Sequence, residues 1–295
     1  MRTVPRHLYP FDGKRIDIDG HSMHYLDEGA GEPVVMVHGN PTWSFYYRNL
    51  VTALSPTHRC IVPDHIGMGM SDKPSADVYP YTIERRVADF GRFMESLQLE
   101  GPINLVVHDW GGMIGMTWAT RNPALIKRLI ILNTAAFPLP QTREFHLPLR
   151  FTRTRIGGHL VLQHNAFARG ATHFCVKRRR MPKEVRRAYT APYDSKSDRI
   201  ATLRFVQDIP LSPADEGYAL ISATRDGLVH FRDTPTRIFW GAKDFVFDDS
   251  FLDEWKHHLP EAEVMYFTDC GHYVLEDAVE EIVPEIQHFL SVPVA

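Results

Sequence analysis

The segment Ile103-Asn104-Leu105-Val106-Val107-His108-Asp109-Trp110-Gly111-Gly112 decides the fold of this chain. Its apolar strand pattern over 103–107 leads directly to Asp109, and a helical pattern over 113–120 follows the two glycines. This order predicts a sharp turn from strand to helix that lifts the Asp109 side chain above the edge of a sheet. A carboxylate held there can attack carbon and form an ester, which suits alkyl halides, epoxides and strained lactones. The alternative is a buried aspartate that caps the helix.

Other short apolar runs, rich in β-branched residues, share the strand pattern of 103–107. They lie at 34–38, 59–64, 129–133, 236–240 and 263–267, and further helical patterns lie at 43–54, 82–97 and 276–290. Continuous apolar runs of this length are typical of parallel strands that are buried on both faces. The alternation therefore predicts an α/β fold with a mostly parallel, doubly wound sheet. Ligands of such sheets bind at the carboxyl ends of the strands.

The length of 295 residues fits one large α/β domain, or a core with an inserted cap. Three cysteines (Cys60, Cys175 and Cys270) are an odd number without paired spacing. This argues against a disulfide framework and for a reducing compartment. The first ten residues contain no secretory signal, and no apolar run approaches the length of a membrane span. We therefore expect a cytoplasmic protein.

Charge is distributed unevenly along the chain. Residues 143–208 contain 15 Lys plus Arg against 5 Asp plus Glu, whereas the remainder contains 18 against 31. The shift predicts a helical cap at 138–212, inserted into a core formed by 1–137 and 213–295. Within it, the basic segment 177–187 is either a solvated helix face or a docking surface for an anionic partner or membrane. Nucleic-acid binding is not expected, because no aromatic interleaving or recognised motif accompanies the charge.

The loop His38-Gly39-Asn40-Pro41-Thr42-Trp43 follows the first predicted strand and supplies candidate anion donors. At turns of this type, backbone N–H groups of the loop and of the residue after the nucleophile form an oxyanion hole, here those of Asn40 and Trp110. The Asn40 amide and the Trp110 indole add N–H donors for a leaving anion. The alternatives are a helix N-cap for Asn40 and core packing for Trp110.

An ester on Asp109 would need a base that activates water, and His272 is the candidate. It follows the last predicted strand and precedes the C-terminal helix. His38 and His108 are the nearest rivals, but both lie in motifs where they would more plausibly brace the loops.

Asp244 is the candidate acid that orients this imidazole. It comes just after the strand at 236–240, so the chain order is nucleophile, acid, base. Asp248 and Asp249 are rivals, yet they resemble N-cap residues of a helix over 251–258.

These motifs resemble the haloalkane dehalogenase family of α/β-hydrolases, and the resemblance covers nearly the whole chain. Segment 38–43 resembles the oxyanion and halide loop of the family, and segment 108–112 resembles its elbow, although Val107 stands where the general pattern has Gly. Asp244 together with the lack of a carboxylate at Asn133 resembles the subgroup called subfamily III. The resemblance implies an α/β-hydrolase fold, and it implies that Asn40 and Trp110 bind halide.

Four further segments, at 63–69, 133–138, 204–213 and 272–277, are similar to the β-lactone decarboxylases of bacterial long-chain olefin synthesis. Those enzymes are themselves dehalogenase-like, so the resemblance indicates the active-site chemistry better than the substrate. The main hypothesis is a haloalkane dehalogenase-like hydrolase that releases halide and alcohol. The alternative is a β-lactone decarboxylase that gives an alkene and CO2.

Two other functions are less favoured. An epoxide hydrolase would need acidic tyrosine hydroxyls from the cap, and Tyr189 and Tyr193 are available. Asn40 argues against that activity, because epoxide opening releases no halide. A catalytically inactive hydrolase fold that serves as a binding module is disfavoured by the complete set of Asp109, His272 and Asp244.

The apolar and basic residues of the cap indicate which substrate and partners to expect. Four of its apolar residues are expected to line a substrate cavity or to form a small satellite core: Phe167, Phe174, Phe205 and Leu211. We expect a small hydrophobic substrate and no cofactor or metal, because the Asp and His candidates already have roles and no metal-ligand spacing is present. The basic cap could also support a homo-oligomer, a multi-enzyme assembly or peripheral membrane contact.

Overall fold

A computed structural model describes residues 3–140 and 143–293. One sheet contains the strands β1 (Lys14–Ile18), β2 (His21–Glu28), β3 (Glu32–Val37), β4 (His58–Pro63), β5 (Ile103–Asp109), β6 (Ile126–Thr134), β7 (Thr236–Gly241) and β8 (Glu263–Phe267). Their spatial order is β1-β2-β4-β3-β5-β6-β7-β8. β2 pairs antiparallel with β1 and β4, and every other pairing is parallel. The predicted α/β fold with its mostly parallel sheet is confirmed.

The hairpin β1–β2 was not predicted, because its residues alternate between apolar and polar instead of forming a continuous apolar run. It lies at the edge of the sheet, where one face can meet water. Asp19 and Gly20 form the turn, and both have positive φ, 52° and 80°. An Asp-Gly pair between alternating strands is a strong hairpin signal, so the sequence did contain the information.

The helices are α1 (Arg48–Leu54), α2 (Ile83–Ser96), α3 (Trp110–Arg121), α4 (Leu147–Thr152), α5 (Arg155–His164), α6 (Ala166–Phe174), α7 (Lys183–Thr190), α8 (Ile200–Gln207), α9 (Tyr218–Gly227), α10 (Asp249–His258), α11 (Val274–Asp277) and α12 (Val279–Ser291). Short 3₁₀ turns lie at Ser44–Tyr47, Pro123–Leu125, Ser197–Arg199 and Leu228–Phe231. The helix expected over 43–54 is thus a 3₁₀ turn followed by α1. The helix expected over 276–290 is divided into α11 and α12.

Successive residues of β3 show how the sheet is buried on both faces. Val35 and Val37 pack into one apolar cluster with residues of α2 and α3, whereas Val34 and Met36 pack into a second cluster with residues of α1 and α12. All four side chains are fully buried. Side chains of a strand point alternately to opposite faces, so a run without polar residues requires helices on both sides.

Helices α4 to α8 all lie within the predicted cap segment 138–212, of which residues 141–142 fall outside the described part of the chain. They pack on one another, while the next helix, α9, packs on α3 of the core. Within residues 3–140 and 143–293, no helix combines the length and apolar character needed to cross a membrane.

Part of the basic segment 177–187 attaches the cap to the core. The Arg178 guanidinium forms ion pairs with Asp269 at 2.9 Å and with Glu281 at 2.7 Å. The backbone N–H groups of Lys177 and Arg178 donate to the Asp277 carboxylate at 2.9–3.1 Å. These bonds neutralise the charge of Arg178 within segment 177–187. They also hold the cap against Asp277, which lies just before α12.

Candidate active site

Asp109 lies at the tip of the turn between β5 and α3, in a conformation that favours glycine. Its φ and ψ are 52° and −127°, and α3 begins at the next residue. The backbone can hold this shape only because its neighbours are small. A Cβ on Gly39 would collide with the Asp109 carboxylate, and a Cβ on Gly111 would collide with the carbonyl of Val37. A strained residue in such a turn is typical of a nucleophile presented at the end of a strand rather than of a helix cap. The Asp109 side chain makes no capping hydrogen bond to α3.

The structure brings the three proposed catalytic side chains together. His272 Nε2 lies 3.4 Å from Asp109 Oδ2, and His272 Nδ1 lies 2.7 Å from Asp244 Oδ2. The other Asp244 oxygen accepts the backbone N–H of Val246 at 2.7 Å. All three side chains are buried although they come from three separate loops. Asp244 therefore holds the ring so that Nε2 faces Asp109.

Two carboxylates keep the His272 ring charged. Burial alone lowers its pKa, but the negative charges and hydrogen bonds of Asp244 and Asp109 outweigh burial and raise the pKa to about 10. Burial likewise opposes ionisation of Asp109, yet the hydrogen bond and charge of His272 bring its pKa below the ordinary value. The site thus holds the Asp109 carboxylate beside a His272 imidazolium.

The rival aspartates have structural roles. Asp248 is the N-cap of α10, and its carboxylate accepts the N–H of Ser250 at 3.2 Å. It also pairs with Arg143 at 2.6 Å. Asp249 accepts the Tyr266 hydroxyl on the surface. Asp248 thus has the predicted N-cap role, whereas Asp249 is the first residue of α10 and its carboxylate bonds to Tyr266 instead of capping the helix.

The rival histidines brace loops around the site. His38 Nδ1 contacts the Gly39 carbonyl at 2.8 Å, and its Nε2 accepts the N–H of His65 at 3.2 Å. His108 Nε2 lies 2.9 Å from the carbonyl of His272. Burial, followed by the charge of His272, lowers the pKa of His108 to about 3, so this ring is neutral.

The loop after β3 supplies the predicted backbone donor. The N–H of Asn40 donates to Asp109 Oδ1 at 2.5 Å. The Asn40 side chain is more constrained than expected, because its amide donates to the carbonyl of Thr202 in α8 at 3.1 Å. An amide carries two N–H groups, and the bond to Thr202 uses one of them. Trp110 is buried and lines the cavity beside Asp109.

A buried ion pair behind Trp110 was missed by sequence reasoning. Arg86 of α2 pairs with Asp208, the residue after α8, at 2.9 Å. Its guanidinium lies 3.8 Å from the ring centre of Phe205 and 5.5 Å from that of Trp110. Asp208 falls in segment 204–213, which the family resemblance singled out, but nothing in the helical pattern of 82–97 distinguishes Arg86.

Asp64 is a second unpredicted support. Its carboxylate accepts the N–H of Ser44 at 2.6 Å and the N–H of Met70 at 2.9 Å, and it lies 2.9 Å from His24 Nδ1. Burial opposes its ionisation, but these bonds and the charge of His24 lower its pKa to about 2. Asp64 therefore links β2 and the chain after β4 to the loop that carries Asn40.

A cavity of about 320 Å³ opens above Asp109. Asn40, Trp110 and His272 join Asp109 in its wall, and most of the remaining lining is apolar: Met113, Phe137, Leu139, Phe145, Leu149, Phe151, Leu160, Val161, Phe167, Phe174, Val206, Ile209, Val246 and Phe247. The core and the cap both contribute, so the cap segment covers the strand ends.

Of the four cap residues expected at the cavity, Phe167 and Phe174 line it. Phe205 and Leu211 do not. Phe205 is fully buried because it fills the space between Trp110 and Arg86. The backbone N–H of Leu211 bonds to the Asp215 carboxylate at 2.7 Å, in the turn that returns the chain to the core.

The two cap tyrosines that an epoxide hydrolase would use are committed elsewhere. The Tyr189 hydroxyl donates to Glu276 at 2.5 Å, and the Tyr193 hydroxyl donates to the Thr42 carbonyl at 3.4 Å. Neither residue lines the cavity. Across the two described ranges, no group of three or more His, Cys, Asp or Glu side chains is placed to hold a metal ion.

Comparisons with known proteins agree with this architecture. A family model described as the alpha/beta hydrolase fold matches residues 32–279. The cis-3-alkyl-4-alkyloxetan-2-one decarboxylase of Shewanella oneidensis is 54% identical, over 96% of this chain and 90% of its own. The enzyme of that name from Xanthomonas campestris pv. campestris is 50% identical, over 96% and 97%. The crystal structure of a haloalkane dehalogenase from Bradyrhizobium elkani superposes with a TM-score of 0.86 at 26% identity, over 95% and 98%.

These similarities confirm the resemblance seen in the motifs. They also show that the chain is more similar to the decarboxylases than to the dehalogenase. The decarboxylases share about half of their residues with this chain, whereas the dehalogenase structure shares about a quarter. The chain is a member of the α/β-hydrolase family.

Proposed function

We propose that this protein is a β-lactone decarboxylase that converts a cis-3,4-dialkyl β-lactone into an alkene and CO2. One observation carries the proposal: two relatives named as such decarboxylases are 54% and 50% identical over almost the whole chain. The nucleophile and anion donors described above suit a strained lactone as well as a haloalkane. The haloalkane dehalogenase activity favoured by the motifs becomes the second candidate, supported by the 26% identical structural neighbour.

In the first proposed step, an Asp109 oxygen attacks the ring carbon that bears the ring oxygen. The bond between that carbon and the ring oxygen breaks, and its electron pair leaves on the oxygen as a carboxylate. Relief of ring strain makes a weak carboxylate nucleophile sufficient. The N–H groups of Asn40 and Trp110 would hold the new carboxylate, because donors fixed in a water-poor site stabilise developing charge strongly.

In the second step, the substrate carboxylate leaves as CO2. The electron pair of its carbon–carbon bond forms the double bond, and the bond between carbon and the Asp109 oxygen breaks. Asp109 is thereby restored as a carboxylate, and no water or proton is consumed. Attack inverts the first carbon, and loss of CO2 anti to the departing Asp109 oxygen then gives the cis alkene.

His272 has a different role in the two candidate reactions. Hydrolysis of an alkyl ester requires a neutral imidazole to activate water. Ester formation removes the charge of Asp109, which is one of the groups that raise the pKa of His272. The pKa of the ring therefore falls at that stage, the ring loses its proton to solvent more readily, and the neutral form can accept a proton from water. In the decarboxylation, His272 can stay protonated and stabilise the departing Asp109 carboxylate.

The deciding experiment assays one purified protein with two substrates, a long-chain cis-β-lactone and 1,2-dibromoethane. We expect alkene and CO2 from the lactone at a much higher kcat/KM than bromide from the dihalide. Asp109→Asn serves as the inactive control. Faster bromide release, or a β-hydroxy acid in place of the alkene, would overturn the proposal.

A single turnover in H₂¹⁸O separates the two chemistries at the protein itself. Hydrolysis of an Asp109 ester places ¹⁸O in the carboxylate of that residue, whereas decarboxylation leaves it unlabelled. His272→Ala should accumulate the alkyl ester with the dihalide yet still release alkene from the lactone, more slowly. Labelled Asp109 after lactone turnover would contradict the proposed second step.

We also propose that the protein works in the cytoplasm. All three cysteines are free and buried, and this supports a reducing compartment. Fractionation of cells that express the protein at natural levels tests the location.

A further inference from the structure

Three cap helices carry an unusual concentration of exposed apolar side chains. Leu147, Phe151, Ile156, Leu160 and Phe174, on α4, α5 and α6, are 70%, 49%, 68%, 37% and 65% exposed. They make up half of the ten large hydrophobic residues exposed in the described part of the chain. We call these five residues the mouth patch. Single exposed apolar residues are ordinary, but a cluster of this kind marks an interaction surface.

The mouth patch is continuous with the active-site cavity. Phe151, Leu160 and Phe174 line that cavity while also being exposed. Leu147 and Ile156 lie on the same helices as Phe151 and Leu160, are exposed, and do not line the cavity. The patch is therefore the rim through which an apolar substrate reaches Asp109.

The charge around the patch has one sign. From residue 145 to residue 183 the chain contains no Asp or Glu and nine Lys plus Arg. Arg150 and Arg155 flank the apolar residues on α4 and α5 and are exposed. Neither side chain has an ion pair or hydrogen bond to any residue that the structure describes. Arg178, in contrast, forms ion pairs with Asp269 and Glu281.

We propose that the mouth patch docks on an anionic lipid bilayer, so that the cavity opens into the apolar layer of the membrane. Apolar side chains rimmed by unpaired cations are the combination that binds bilayer surfaces. A second copy of the chain fits less well, because a two-fold contact would oppose the same cationic surfaces. The proposal concerns the cap alone and does not depend on which substrate Asp109 attacks. The charge of segment 177–187 had made that segment one candidate for a docking surface. The proposal places the docking surface on α4–α6 instead.

The test is cosedimentation of the purified full chain with vesicles of phosphatidylcholine alone and of phosphatidylcholine with phosphatidylglycerol. The variant Leu147→Ser/Ile156→Ser changes patch residues that lie outside the cavity. The matched control is Val78→Ser/Val229→Ser, since these valines are 67% and 56% exposed on other parts of the surface. We expect wild type and control to bind anionic vesicles, and the patch variant to bind at least about tenfold more weakly. Arg150→Gln/Arg155→Gln should weaken binding and reduce its salt dependence.

Two further measurements keep the outcomes distinct. Turnover of a short, water-soluble β-lactone should be equal in wild type and the patch variant, which shows that the variant is folded. Light scattering without vesicles shows whether the variant changes the oligomeric state. Failure of wild type to bind anionic vesicles, equal binding by patch variant and control, or conversion of a dimer into a monomer by the patch variant would each overturn the proposal. The last result would assign the patch to a second copy of the chain.

Discussion

The carboxyl edge of the sheet and the cap differ in how they hold their functional residues. At the sheet edge, Asp109, Asp244 and His272 lie within a few residues of a strand end and are buried. In the cap, the five residues of the mouth patch lie on short helices and are exposed. Backbone geometry fixes the first group, whereas packing between helices fixes the second.

Few side-chain bonds join the two regions near the site. Asn40 bonds to Thr202, and Arg86 pairs with Asp208. Asn40 makes one of these bonds itself, and the other lies behind Trp110, so the position of the cap is coupled to the site. The difference suggests that the core determines the chemistry and the cap determines which substrates reach it. The predictions below test this division.

The largest effect is expected at the nucleophile. Asp109→Asn keeps the shape of the side chain and removes the charge that attacks carbon, so lactone turnover should fall by at least ~10⁴. The rate of alkene formation measures this, and thermal unfolding verifies the fold. Residual activity within about a hundredfold of wild type would mean that the reaction does not use Asp109.

The next effect is expected at the acid. Asp244→Asn removes the charge that contributes most to the raised pKa of His272, so the imidazolium that faces Asp109 is weakened. We expect a loss of ~10²–10³ in lactone turnover, comparable with the loss of one transition-state donor. Asp248→Asn is the control and should cost at most about 1 kcal/mol of stability, because Asn is itself a good N-cap residue. The reverse pattern would transfer the acid role to Asp248.

A smaller loss is expected at the anion pocket. Trp110→Phe keeps the ring against Phe205 and removes only the indole N–H. Halide is a compact ion that depends on both donors, whereas a carboxylate spreads its charge over two oxygens. Lactone turnover should fall by about 10² and dehalogenation by more. Rates for both substrates decide this, and no loss with either would make Trp110 a packing residue.

Where Asp208 of the cap pairs with Arg86 of the core, we expect an effect on the free energy of unfolding. Burial raises the pKa of Asp208 to about 7 despite the charge of Arg86. The folded chain therefore binds this proton more tightly than the unfolded chain, and the stabilisation is lost as pH rises from about 4 through 7. Urea unfolding from pH 4 to pH 8 should show a flatter pH dependence for Asp208→Asn than for wild type. Asp253→Asn, at an exposed position on α10, should leave the slope unchanged.

The smallest effect is expected at the rim. Phe174 is 65% exposed and lines only the mouth of the cavity. Phe174→Ala should shift the preference between long and short alkyl chains by less than about tenfold, because a partly solvated contact contributes less than a buried one. Competition between two lactones measures the ratio. A shift above a hundredfold would show that the rim, rather than the deep cavity, selects the chain length.

Local sequence patterns were enough to predict the six parallel strands and the residues at their carboxyl ends. All six predicted strands are present, and the turn at Asp109 has the predicted sharp geometry. Local patterns suffice here, because a continuous apolar run fixes a buried strand and the parallel arrangement then brings the strand ends together. The assignments of Asp109, His272 and Asp244 to catalytic roles stay predictions, although the structure places the three side chains in contact.

The surroundings of those strand ends could not be predicted from local patterns. No local pattern revealed that Arg86 lies behind Trp110, that Phe205 fills the space between them, or that the Asn40 amide is tied to α8. Apolar residues of a cap helix look alike in sequence whether they line a cavity, fill a small core or face solvent. Which of these they do depends on the simultaneous packing of several helices, and that packing is not a property of any single segment.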